Sequence, residues 1–292
     1  MSEQTILVIG GTGLLGGPVA RQLSCDGYAV RLLVRDPARA RTRLGKQFEY
    51  IAGDVEDEQS VRQALIGCKG VHISLQGRSY REFESVEHRG TARIATIASQ
   101  IGVERISYVS GASVCEAARY VPQQRAKYLA EQAIENSKVP YTIFKPSFFM
   151  ESLPGYIQGK RATVIGQSST CFHLLAANDF ARLVSASFRT PLAANQRFFV
   201  YGPEAMTLAD ALRTYCRLLE PDKEVTVTPY WAMTLIDALF MGRKLRPVIQ
   251  LMKVTARLGE TGDAASTARI LGQPATTLQQ WCEQQLANRR KG

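Results

Sequence analysis

Thr5-Ile-Leu-Val-Ile9 runs without a break into Gly10-Gly11-Thr12-Gly13-Leu14-Leu15-Gly16, and this one stretch sets the fold. Four apolar residues after Thr5, in a mostly β-branched run, read as a buried strand. The apolar spacing that begins at Leu14 and continues to Cys25 reads as a helix. Between them, glycine at 10 and 13 permits a tight turn and close backbone approach to a pyrophosphate. Gly16 lets the helix sit against the strand, and the helix N-terminus offers free N–H groups and a positive dipole to phosphate. A glycine triplet alone is weak evidence. Strand–turn–helix around it is the context that a phosphate loop requires.

The same alternation continues outward. Tyr28–Val34, Phe48–Ala52, Val71–Leu75 and Ile106–Ser110 read as short buried strands, with helical spacing in Ala38–Leu44, Asp57–Ile66 and Ser85–Ile101. A helix over Gln123–Asn136 leads to a strand, Tyr141–Phe144. Such alternation predicts an α/β, Rossmann-type doubly wound parallel sheet with helices on both faces. After Met150 the pattern loosens. Asn178-Asp179 is expected to cap a helix reaching Phe188, Arg197–Tyr201 to form a strand, and Thr207-Leu-Ala-Asp210 to cap a further helix. The expected organisation is a nucleotide-binding domain over 1–150 and a smaller C-terminal lobe over 151–292, completing one globular unit.

Composition narrows the function classes. The 292 residues are 45% hydrophobic and 21% charged, which is ordinary for a globular chain. No apolar run reaches the roughly 18 residues of a membrane-spanning helix. The N-terminal MSEQTILVIG lacks a basic region and a cleavage site, so no secretory leader is expected. Cys25, Cys68, Cys115, Cys171, Cys216 and Cys282 are scattered without a CxxC pair, which points to reduced thiols and a cytoplasmic setting. His72, His88 and His173 share no ligand spacing, so no metal is expected. Ser110 has no G-x-S-x-G elbow, which argues against a hydrolase. The net charge of +10 lies in two windows. Residues 31–46 hold six basic residues and one acidic, and residues 243–257 hold five basic and none acidic. With no interleaved aromatics and no helix-turn-helix, specific nucleic-acid binding is not expected.

The second strand ends in Val34-Arg35-Asp36-Pro37. An acidic residue here pairs with the ribose 2′-hydroxyl of NAD, and an arginine with the 2′-phosphate of NADP. Strand alternation turns Arg35 and Asp36 opposite ways, so Arg35 favours NADP(H), with NAD(H) as the alternative.

Glycines at 10, 13 and 16 give G-x-x-G-x-x-G, which resembles the short-chain dehydrogenase/reductase superfamily in its extended and atypical branches. In that superfamily the Asp of a motif such as Gly53-Asp54-Val55 binds the adenine amino group, and the next backbone N–H meets the ring. Asp54 as a helix N-cap is the competing reading. The resemblance also implies a Ser at the end of the fifth strand and a Tyr-x-x-x-Lys helix. Ser110 fits the serine and Lys127 the lysine, but Gln123 stands where the tyrosine belongs. Glutamine exchanges no proton near neutral pH. Tyr120, just before the Pro122 that starts the helix, is the nearest replacement acid, whereas Tyr128 projects about 100° from Lys127.

Lys127 to Glu131, then Val139-Pro140-Tyr141-Thr142-Ile143, then Lys145-Pro146-Ser147-Phe148-Phe149 narrow the resemblance to the NmrA-like atypical group. That group places a Pro-small-x-Phe turn, here Pro146 to Phe149, over the nicotinamide. Most of its members have Arg-Pro-Gly where this chain has Lys145-Pro146-Ser147. The segment Ile270–Leu278 resembles the group's tail. The implied dinucleotide site comprises Gly10, Thr12, Gly13, Leu14, Leu15, Gly16, Arg35, Asp54, Val55, Lys127, Pro146 and Phe149, with Ser110, Lys127 and Tyr120 as candidate catalytic groups. The group holds reductases without the tyrosine, non-catalytic dinucleotide-sensing regulators and an accessory subunit of respiratory complex I. The expected function is therefore an NADP(H)-dependent reductase of a small organic substrate. The alternative is a non-catalytic redox sensor or assembly protein. Residues 230–257 join an apolar helix to a cationic turn, which suits either a cleft cover or a peripheral membrane contact.

Overall fold

The computed structural model describes residues 4–166, 169–243 and 245–290, and places the apolar run as an interior strand of the sheet, β1 (Thr5–Ile9). From there the chain forms α1 (Gly16–Cys25), β2 (Ala29–Val34), α2 (Pro37–Leu44), β3 (Glu49–Ala52), α3 (Glu58–Leu65) and β4 (Gly70–Ile73). One helical passage follows, from α4 (Tyr80–Glu82) through a π-helical stretch, Phe83–Gly90, into α5 (Thr91–Ile101). It starts earlier than the apolar spacing indicates because Ser79 caps it, accepting the Glu82 N–H. Next come β5 (Arg105–Val109), α6 (Pro122–Asn136) and β6 (Tyr141–Pro146).

Beyond Met150 lie β7 (Ile157–Gln158), β8 (Arg161–Ile165), β9 (Cys171–His173), α7 (Ala177–Arg189), β10 (Gln196–Val200), β11 (Ala205–Thr207), α8 (Leu208–Leu219) and β12 (Glu224–Thr228). Helices α9 (Tyr230–Phe240), α10 (Arg246–Leu258), α11 (Ala265–Leu271) and α12 (Leu278–Arg289) close the chain.

Seven strands form the main sheet in the order β10-β6-β5-β4-β1-β2-β3. All its pairings are parallel, with Ile9 level with Leu33 on one side and Ile73 on the other. This is the expected doubly wound sheet. Chain order reverses between β1 and β4, so a crevice opens above their C-terminal ends, where such sheets bind ligands. The period of two in β1 explains its unbroken apolarity. Ile6 and Val8 face α1 and α7, Leu7 and Ile9 face α3 and α5, and all four are buried.

The last sheet strand, β10, comes from beyond Met150. It pairs with β6 from Gln196↔Thr142 to Val200↔Pro146. Helix α7 lies against α1 and brings Phe180 and Val184 into the same core. A separate core of Met150, Leu153, Leu212, Tyr215 and Trp281 holds the lobe together.

Two expected caps have different outcomes. Thr207 does cap α8, accepting the Asp210 N–H at 3.1 Å. Asp179 does not cap α7, whose N-cap is Ala176. Its buried carboxylate accepts the N–H groups of Ala275 and Thr276, both at 2.8 Å, and the Thr276 hydroxyl at 2.9 Å. It fastens the tail instead of its own helix. The first basic window also thins, since Arg31 pairs with Glu49 at 2.7 Å and donates to the Ala64 and Ile66 carbonyls.

Candidate functional site

A cleft of about 840 Å³ runs along the C-terminal edge of the sheet and under α10. At one end stands the glycine loop. Gly10 has φ +81°, and a Cβ there would lie 2.2 Å from the Ser74 carbonyl oxygen. The Gly13 N–H closes the turn on the Gly10 carbonyl at 2.8 Å. A Cβ on Gly16 would sit 2.3 Å from that same oxygen, so α1 can approach only as glycine. The start of α1 has no side-chain cap and no acid in its first turn, leaving its N–H groups to an anion. These features fit a pyrophosphate.

Gly10, Thr12, Gly13, Leu14 and Leu15 line this end, with Gly16 packed behind them. Arg35 lines the cleft from the end of β2. Asp36 is occupied elsewhere, accepting the Arg39 N–H at 3.0 Å as the N-cap of α2. Both residues follow the last residue of β2, Val34, and it is the start of α2 that takes Asp36 away from the cleft. Asp54 and Val55 also line the cleft. The cap of α3 is Asp57, not Asp54, so the competing reading of Asp54 falls away.

Further along, Ser110, Gln123, Lys127, Pro146, Ser147 and Phe149 line the same space. The Lys127 ammonium lies 3.4 Å from the Val109 carbonyl oxygen and 3.5 Å from the Glu87 carboxylate. Glu87 sits in the π-helical stretch with its side chain wholly buried. Burial pushes its pKa up, while the Lys127 charge and the Gly77 backbone pull it down, and the net shift is upward.

Ser110 is in place, but its hydroxyl donates to Glu131 on α6. The same carboxylate lies 3.2 Å from the Lys145 ammonium, which donates to the Val114 carbonyl at 2.7 Å. Ser110 and Lys145 are thus drawn into a buried polar cluster behind the cleft. Tyr120 does not join the site. It is 63% exposed, Arg257 lies over its ring, and it is absent from the cleft lining. Pro122 begins α6 after Tyr120 and leaves that ring outside the helix.

At the far end the Ser147 hydroxyl donates to Glu260, which follows α10. Glu260 also accepts the His173 N–H at 2.7 Å, and its second oxygen lies 2.6 Å from His173 Nδ1. The His173 ring stacks on Tyr201 with centroids 5.7 Å apart. This hydroxyl–carboxylate–imidazole chain joins the cleft wall to a part-exposed ring. Sequence reading missed Glu87 and Glu260, and took His173 as isolated. His72 is a core histidine, buried, bonded to Ser107 at 2.9 Å and with its pKa pushed down to about 3 by burial.

Comparison with known proteins shows the family and the fold. A family model described as NAD(P)H-binding matches residues 10–188. The NAD(P)H azoreductase of Xenophilus azovorans is 26% identical over 287 residues, covering 95% of this chain and 96% of that protein. The photosystem II assembly factor Ycf39 of Trieres chinensis is 24% identical over 242 residues, covering 81% and 76%. The structure of the NADPH-dependent quinone oxidoreductase QOR2 of Escherichia coli with NADPH superposes with a TM-score of 0.75 at 20% identity, covering 96% and 99%. The chain belongs to the NAD(P)H-binding family.

Proposed function

We propose that the protein is an NADPH-dependent reductase of a small organic acceptor that works without the usual tyrosine. The observation that carries this reading is the continuity of one cleft from Gly10 and Arg35, past Lys127, to Ser147 and Glu260. The relation to an NAD(P)H azoreductase over nearly both whole lengths supports it. Arg35 holds the 2′-phosphate, the α1 N-terminus the pyrophosphate, and Asp54 with Val55 the adenine. Pro146 and Phe149 flank the nicotinamide.

NADPH supplies a hydride when bound, and the acceptor then needs one proton. Gln123 cannot give it, and Tyr120 is out of reach. Lys127, anchored by Val109 and Glu87, holds the nicotinamide ribose. Ser147 is the hydroxyl at the acceptor end: its proton turns from Glu260 to the acceptor, and a proton from the imidazolium form of His173 passes through Glu260 to restore the hydroxyl.

Steady-state NADPH oxidation against a panel of azo dyes and quinones tests the reading. Turnover is expected with at least one acceptor, falling by two orders of magnitude or more in Lys127→Ala. Tight NADPH binding with no accelerated oxidation by any acceptor would overturn it.

A second reading, a non-catalytic NAD(P)H-binding module in assembly or sensing, is favoured by Gln123 in the tyrosine position. It predicts that Lys127→Ala keeps cellular function while NADPH binding weakens. Either reading accommodates a peripheral contact through residues 230–257.

A further inference from the structure

Helix α9 is turned inside out. Its one acid, Asp237, is 3% exposed, and its carboxylate accepts the Leu245 N–H at 2.8 Å to hold the following turn. Met233 is buried beside it, but most of the large apolar side chains point the other way, with Trp231 73%, Leu235 53%, Leu239 66% and Phe240 81% exposed. Residues 231, 235 and 239 stack on one face at i, i+4 spacing, and Phe240 extends that face. An ordinary surface helix does the reverse. The face is not a cover for the dinucleotide cleft, because the lining there comes from Leu251 and Thr255 of α10 and from no residue of α9.

Charge identifies the occupant. Arg243 and Arg246 are exposed in and after the turn, and Lys253 is exposed on α10, its ammonium 5.5 Å from the Tyr230 ring. Between Glu224 and Glu260 the sequence has no acid except the buried Asp237. An apolar face with a basic border and no exposed acid complements an anionic surface. A second copy of this chain is a poor occupant, since a two-fold contact brings the patch against itself and sets arginine beside arginine. Eleven residues rise only about 16 Å, so α9 cannot cross a bilayer. Tryptophan and phenylalanine beside arginine suit a helix lying in the headgroup plane.

We propose that α9 and the turn after it dock the protein on an anionic lipid surface through Trp231, Leu235, Leu239, Phe240, Arg243 and Arg246. This inference rests on neither reading of turnover. The chain carries its own reporter in Trp231, because its second tryptophan, Trp281, is 5% exposed inside the lobe.

The experiment is co-sedimentation with phosphatidylglycerol/phosphatidylcholine vesicles at low salt, with tryptophan emission read alongside. The expected result is binding with a blue shift on anionic vesicles and at least tenfold weaker binding to pure phosphatidylcholine. A double variant, Leu239→Glu with Phe240→Glu, should lose both signals and bind NADPH unchanged. Arg243→Gln with Arg246→Gln should weaken vesicle binding at least tenfold, as should raised salt. Failure of the wild-type chain to bind anionic vesicles overturns the proposal, and so does equal binding by the Leu239/Phe240 double variant. Self-association abolished by that double variant, without vesicle binding, would assign the face to a second copy and overturn it as well.

Discussion

The Lys127 ammonium and the Glu87 carboxylate lie 3.5 Å apart at the edge of the cleft, with the Glu87 side chain wholly buried. Burial outweighs the lysine and raises the Glu87 pKa. Folding therefore favours the neutral acid more than the unfolded chain does. Its stabilising contribution is complete below the unfolded carboxyl value of about 4.3 and is lost as pH rises through the raised folded value. Glu87→Gln keeps the neutral shape at every pH. Thermal melts should give similar Tm values for variant and wild type near pH 4, and a higher Tm for the variant near pH 8. A pH-independent offset would contradict this.

Gly16→Ala tests the phosphate loop. The new methyl meets backbone atoms of Gly10 at 2.3 and 2.7 Å, and a backbone cannot swing aside as a side chain can. The loop must shift, at an expected cost of about 1–3 kcal/mol in stability. NADPH affinity, measured by fluorescence titration, should fall at least tenfold. Unchanged affinity would remove the loop from the binding site.

Arg35→Ala should separate the two dinucleotides. Charge-assisted hydrogen bonds to a phosphate contribute about 1.5–3 kcal/mol, which corresponds to roughly 10–100-fold in Kd. NADPH binding should weaken by that factor while NADH binding stays constant. Equal losses for both would mean that Arg35 does not contact the 2′-phosphate.

Asp179 governs acid stability in the tail. Burial raises its pKa, but the hydrogen bonds from Thr276 and Ala275 and the Arg182 charge lower it further, leaving a net depression. A depressed carboxylate contributes stability above its unfolded value, about 3.9, and that contribution is lost as pH falls through the folded value. Asp179→Ala should cost about 2–4 kcal/mol near pH 7, with the penalty shrinking toward pH 3. Limited proteolysis should then cut first in residues 272–290.

Much of this was legible in the chain because it is local. The strand β1, the glycine turn and α1 form from adjacent residues, and Asp36 leaves the cleft because it caps the helix that starts at the next residue. Expected boundaries in the first half lie within about two residues, apart from the π-helical start of the passage at Tyr80. What failed was contact at a distance. Glu260 meets Ser147 and His173 across 113 and 87 positions, and no spacing announces that. Asp179 looked like a cap because Asn-Asp before a helix usually is one, yet its partners lie 96 and 97 residues away. Tyr120 looked close to Lys127 in sequence but faces solvent. In α9 the apolar content was plain, but a helix rich in apolar residues on every side carries no stripe to say which face is inward.

The pairing of β10 with β6 has a consequence for how the molecule is made. The sheet stays one strand short until the ribosome has passed Val200, and β6 meanwhile presents a bare parallel edge. Phe180, Val184 and Phe198, which fill one side of the main core, are also translated after the nucleotide loop. The N-terminal half therefore waits, unfinished, for a later piece of the chain, and is exposed to aggregation in that interval. A fragment ending at Met150 should collect in inclusion bodies, whereas one extended through Val200 should regain protease resistance over residues 4–146.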